Sequence, residues 1–118
     1  MRTATFDRYD IVVVPFPFTD KAASKRRPAL VLSVASTFNR AVGHSVMAMI
    51  TSAVNAPWPQ DTPIADLTAC GLPAPSVVRM KLFTLDHRFV LRISGRLSDR
   101  DQRSFESAFS KVFAAKMQ

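Results

Sequence analysis

One cysteine, three glycines, one tyrosine and one tryptophan are all that this 118-residue chain holds of those types, and each scarcity excludes something. The single Cys70 can neither close a disulfide nor build a cysteine-based zinc site. Three glycines are too few for a phosphate-cradling glycine-rich loop. No HExxH or paired-cysteine pattern is present either, so no metal or nucleotide cofactor is expected. No run reaches the eighteen or so apolar residues of a membrane span. Met1 to Asp10 carries Arg2, Asp7, Arg8 and Asp10 without the apolar stretch of a secretory leader, which points to the cytoplasm. Internal repeats and low-complexity tracts are also missing.

Acidic residues are scarce as well. Nine Asp and Glu face sixteen Lys and Arg, for a net charge of +7, and eleven of those cations are arginine. The arginine fork grips phosphate bidentately where lysine offers a mobile point charge. A polyanionic partner is one reading; a surplus that keeps a small protein in solution is the other. What remains is ordinary: 47% apolar and 21% charged residues describe a folded chain. At roughly 100 to 200 residues per domain, positions 1–118 form a single unit.

Strand signals dominate. Ile11 to Phe18, IVVVPFPF, is β-branched and aromatic, with Pro15 and Pro17 placing its second half at an edge or bend. Thr19 to Arg27 is polar, cationic and aperiodic, hence a loop. Pro28 to Ser33 begins a second strand, Asn39, Gly43 and His44 mark a turn, and Val46 to Thr51 reads as a third strand. Ser52 to Pro75 holds five of the eight prolines and is mostly irregular, with a short strand near Thr62–Ile64 and a helical turn near Ala65–Cys70. Ser76 to Leu82 is a fourth strand, Phe83 to Arg88 a connection, and Phe89 to Leu97 a fifth strand with a bulge at Gly95. Ser98 and Asp101 form a capping signal. Phe105, Ala108, Phe109, Val112 and Phe113 then repeat at helical spacing, so a helix from Asp99 to about Lys116 should bury a phenylalanine stripe. The expected fold is mainly β, a small bent antiparallel barrel closed by a C-terminal helix.

Few residues offer chemistry. Ser24-Lys25-Arg26-Arg27 is the densest polar cluster, and Pro28 biases Arg27 toward extended geometry. It reads either as a phosphate clamp or as solvated loop. Thr51 and Ser52 end an apolar strand and could donate to a phosphate oxygen or cap exposed backbone. Arg79 and Lys81 share one face of the fourth strand while Val78 and Met80 take the other. Trp58, between two prolines, is either a base-stacking surface or a packed loop anchor. His44 and His87 read as surface or turn histidines.

Taken in order, YDIVVVPFPFTD, KRRPALVLS, ITS and PSVVRMKLFTLD resemble the PemK/MazF family of type II toxin–antitoxin toxins. The resemblance runs from about Tyr9 to the C-terminal helix and implies an SH3-like barrel, commonly a homodimer. It implies a sequence-selective, metal-independent endoribonuclease acting on single-stranded RNA, in which the ribose 2′-hydroxyl attacks the adjacent phosphorus. Arg27 and Thr51 match the family's arginine and threonine: Arg27 would stabilise the phosphorane and serve as acid, and Thr51 would hold a nonbridging oxygen beside Ser52. Arg79 matches an arginine that some relatives use as general acid. Lys81 stands where those relatives carry an acidic base, which leaves the base unassigned, and Tyr9-Asp10 replaces a common Gly-Asp, a local change of turn. Ser24, Lys25, Arg26, Ser52 and Lys81 would contact substrate. The implied partner is an acidic antitoxin whose C-terminal tail crosses the Arg27 and Thr51 groove. The alternative is a non-catalytic barrel that binds a protein such as DNA gyrase, or binds nucleic acid without cutting it.

Overall fold

A computed structural model of the chain describes residues 5–16 and 25–114. Among these residues, six antiparallel strands form one sheet: β1 (Asp10–Phe16), β2 (Lys25–Val31), β3 (His44–Ser52), β4 (Thr62–Pro63), β5 (Ser76–Asp86) and β6 (Arg92–Arg96). Their order across the sheet is β4-β5-β3-β2-β1-β6, curled into a half-barrel. Among the described residues, α-helices run at α1 (Arg40–Val42), α2 (Leu67–Cys70) and the longer α3 (Asp99–Phe113). This is the bent, mainly β architecture that the apolar runs predict.

The alternation of each strand divides its side chains between two clusters. Ile11, Leu30, Ala48, Ile50 and Val78 pack in one cluster with Leu97 and Phe105. Val12, Val14, Ala29, Val31, Met47 and Leu85 pack in the other with Phe6. The two sheet edges, β4 and β6, share no hydrogen bonds. Helix α2 packs against β6, and backbone meets backbone there. A Cβ on Gly95 would stand 2.2 Å from the Ala69 carbonyl oxygen, and one on Gly71 would stand 2.2 Å from that of Ser94. Only glycine admits so close an approach.

Several boundaries differ from the sequence reading. Lys25, Arg26 and Arg27 belong to β2, opposite Phe16, Pro15 and Val14, and not to a loop. Pairing with an apolar neighbouring strand outweighs their polar character. The expected connection Phe83–Arg88 is largely strand, because β5 stays paired with β3 as far as Asp86 opposite His44. In β6 the register slips where Ile11 faces Gly95 and Val12 faces Ile93, which puts the irregularity at Ser94, next to the expected Gly95. The turn before β3 is a π-type helical stretch, Ala35–Asn39, running into α1 and ended by Gly43 at φ 66°. Its Asn39 is buried, donating to the Phe6 and Ser33 carbonyls at 2.8 Å each. Pro17 and Phe18 of the expected first strand, Thr19 to Ser24 of the expected loop and the expected helix end near Lys116 lie outside the described residues.

Helix α3 begins as expected, with the Ser98 hydroxyl accepting from the Asp101 N–H. Asp101 itself does more than cap: its buried carboxylate accepts from the backbone of Ala65 at 3.0 Å and Asp66 at 2.9 Å, tying β4's exit to the helix. The phenylalanine stripe is buried at Phe105, but Phe113 is half exposed, its ring packed 4.7 Å from that of Phe109. Tyr9 keeps a left-handed backbone at φ 76°, the region that favours glycine. Its ring is buried and its hydroxyl donates to Glu106 of α3, which offsets the strain. No helix among the described residues is long and apolar enough to cross a membrane.

Candidate active site

Where β2 begins and β3 finishes, the sheet opens into a cleft of about 460 Å³. Arg26, Arg27, Thr51 and Ser52 line it, joined by Gly71 to Ser76 on one wall and by Leu91, Arg92 and Ser94 on another. Four of the side chains singled out in the sequence therefore meet in one place. Arg92 was not among them; the sequence reads it only as an outward cation on the fifth strand.

The central relationship is a cross-strand one. Ala29 stands opposite Met49 in the β2–β3 ladder. The paired residues stop there; Arg27 and Thr51 lie two positions further along their strands, and both line the cleft. Both then share the sheet face of Ala29, Val31 and Met47, while Arg26 and Ser52 belong to the other. The Arg27 guanidinium lies over the Phe16 ring, 5.4 Å from its centre. Its Nε is buried and has no hydrogen-bond partner among the described residues. Leaving a buried donor unmet costs about 1–3 kcal/mol, which is unusual for a residue whose role is structural. The Thr51 hydroxyl oxygen accepts from the Asn55 side chain at 2.7 Å, so its own proton is free to point elsewhere. Ser52 Oγ accepts from the Val54 N–H at 3.3 Å. Among the described lining residues there is no Asp, Glu or His.

Three expected contacts do not line the cleft. Lys25 is exposed at the start of β2, and Lys81 is exposed on β5. Arg79 is committed elsewhere: Nε and Nη2 donate to Asp61 at 3.2 and 2.9 Å, and Nη2 also reaches the Ala56 carbonyl at 2.8 Å. A sequence motif names the residue but not the carboxylate eighteen positions upstream that captures it. Ser24 lies outside the described residues. His87 is part of a different cluster, against Phe6 and the Ser45 hydroxyl, and burial lowers its pKa.

The family model for the PemK-like, MazF-like toxin of type II toxin–antitoxin systems matches residues 7–113. The chain belongs to that family. Among solved structures, this PemK/MazF-like toxin is similar to toxin MazF-mt6 of Mycobacterium tuberculosis, with 22% identity over 92% of this chain and 99% of that one, at a TM-score of 0.69. MazF of Deinococcus radiodurans gives 20% identity over 96% and 100%, at 0.73. An endoribonuclease from mycobacterial species, solved with its cognate antitoxin, gives 13% identity over 98% and 100%, at 0.74. At such identities the likeness is one of fold. No curated protein matches by sequence.

Proposed function

We propose that this PemK/MazF-like toxin is a metal-independent, sequence-selective endoribonuclease of single-stranded RNA, neutralised by a cognate antitoxin and acting as a homodimer in the cytoplasm. The observation that carries the reading is Arg27: a guanidinium whose buried Nε has no partner among the described residues, in the same cleft as a threonine whose hydroxyl is held from behind by Asn55. A phosphodiester between them would satisfy both.

In the proposed reaction the ribose 2′-hydroxyl loses its proton, O2′ bonds to phosphorus, the P–O5′ bond breaks and O5′ takes up a proton. The products are a 2′,3′-cyclic phosphate and a 5′-hydroxyl. Arg27 donates to the nonbridging oxygens as negative charge builds on the phosphorane, where fixed donors count most. Thr51 donates to a second oxygen, with Ser52 beside it. Arg26 and Arg92 hold flanking phosphates, and Lys25 and Lys81 add attraction at longer range. Arg79, bound to Asp61, shapes the neighbouring loop instead of meeting the reacting phosphorus. An acidic antitoxin tail would compete for the same arginines.

The test is to incubate the purified protein with a long single-stranded RNA in EDTA and to map the ends. Cyclic-phosphate ends at a short consensus, lost in Arg27→Ala, are expected. RNA binding without such ends would favour the non-catalytic alternative.

A further inference from the structure

Beside the cleft, the loop from Ala53 to Asp61 spends unusual effort on one side chain. Trp58 joins neither apolar cluster and is 44% exposed. A packed anchor would be buried, yet this ring is held as firmly as one. Pro57 and Pro59 flank it. Trp58-Pro59-Gln60-Asp61 closes with an Asp61 N–H to Trp58 carbonyl bond of 3.3 Å, and Gln60 sits at φ 62°. Proline at the second position and a left-handed third residue define a type II turn. A non-glycine residue at that third position is strained, and strain of this kind collects at functional sites. The Asp61 carboxylate bonds back to the Trp58 N–H at 2.9 Å and grips Arg79, both side chains being only 11% exposed. The Arg79 guanidinium lies against the indole, 4.9 Å from its centre.

We propose that Trp58 is a base-stacking residue that fixes which nucleotide lies beside the scissile phosphate. This rests on the reading above that single-stranded RNA is the ligand. One indole face is occupied by Arg79, and the exposed remainder offers a flat surface with little freedom to turn. Arg79 is neutralised by Asp61, so the pair attracts no phosphate of its own, which suits a base more than a backbone. The loop is tied to the reaction centre, since Asn55, three residues before Trp58, donates to Thr51. Three residues of chain span at most about 11 Å, so the platform lies close to the scissile position. Arg79 acts here as a positioning residue.

Trp58 is the only tryptophan in the chain, so its fluorescence reports this one place. The probe is a set of 2′-O-methyl homo-oligoribonucleotides, which lack the attacking hydroxyl and cannot be cut by the proposed route. Saturable quenching that differs in affinity among the bases is expected. Trp58→Ala should weaken binding of the labelled oligomer, read by anisotropy, by about 5- to 150-fold, and Trp58→Phe by much less. Binding with no change in indole emission, or Trp58→Ala binding as wild type does, would overturn the proposal. Quenching by an acidic peptide and not by the oligomers would assign the ring to a protein partner and overturn it too. Quenching by the oligomers in a protein that cuts no RNA would sustain the stacking role while ending the nuclease reading.

Discussion

The Asn55 side chain donates to the Thr51 hydroxyl oxygen across 2.7 Å, so the residue expected to hold a phosphate oxygen is oriented by a neighbour four positions along. A hydroxyl whose oxygen is engaged as acceptor has its proton available for a single outward bond. Asn55→Ala should therefore lower kcat for RNA cleavage by about tenfold, the equivalent of one ordinary hydrogen bond, while the fold stays intact by circular dichroism. Equal kcat in the two proteins would mean that Thr51 needs no such support.

Gly95→Ala tests how the cleft is kept. The added methyl would fall on the Ala69 carbonyl, and overpacking of this sort costs about 1–3 kcal/mol. Because Gly71 and Ser94 also line the cleft, RNA affinity should fall together with the urea midpoint.

Asp101→Ala removes the acceptor from two backbone N–H groups. Its cost should be about 2–5 kcal/mol in urea unfolding, from two donors left unmet. Asp101→Asn keeps one oxygen and should lose less.

Acid should loosen the Trp58 loop. Burial opposes ionisation of Asp61, but the hydrogen bonds from Arg79 and from the Trp58 N–H outweigh it and hold the carboxyl below its ordinary value of 3.8. A depressed carboxyl contributes stability that is complete above the unfolded value and drains away as pH falls through the lower folded one. Asp7 and Asp86 are shifted in the same direction. Tryptophan emission should hold steady from neutral pH down to about 4 and then shift as the ion pair is protonated. Asp61→Asn should show the acid-form emission at neutral pH.

Arg79→Lys keeps the charge but loses the fork that spans both Asp61 oxygens. If Arg79 positions the loop, KM for RNA should rise several-fold with kcat held. A loss in kcat of a hundredfold or more at constant KM would place it at the reacting phosphorus instead.

Strand content and the helix with its Ser98 cap were legible because each depends on local pattern, β-branched runs and helical spacing; that Arg27 and Thr51 share a groove came only from the family resemblance. What was not legible depends on partners distant in the chain. Lys25 to Arg27 look like a loop until β1 pairs with them. Asp101 looks like a weak cap until β4's exit arrives beneath it. Arg79 looks available until Asp61 reaches it. Tyr9 resembles a changed turn, yet it holds a glycine-like backbone and uses its side chain to secure α3.

The Gly71 and Gly95 contact carries a consequence for how such a toxin diversifies. A join made of bare backbone offers no side chain to exchange, so mutational drift is barred there. On the nuclease reading proposed above, new target sequences would be acquired at the rims, by swapping what the loops display, while the backbone join beneath them stays the same.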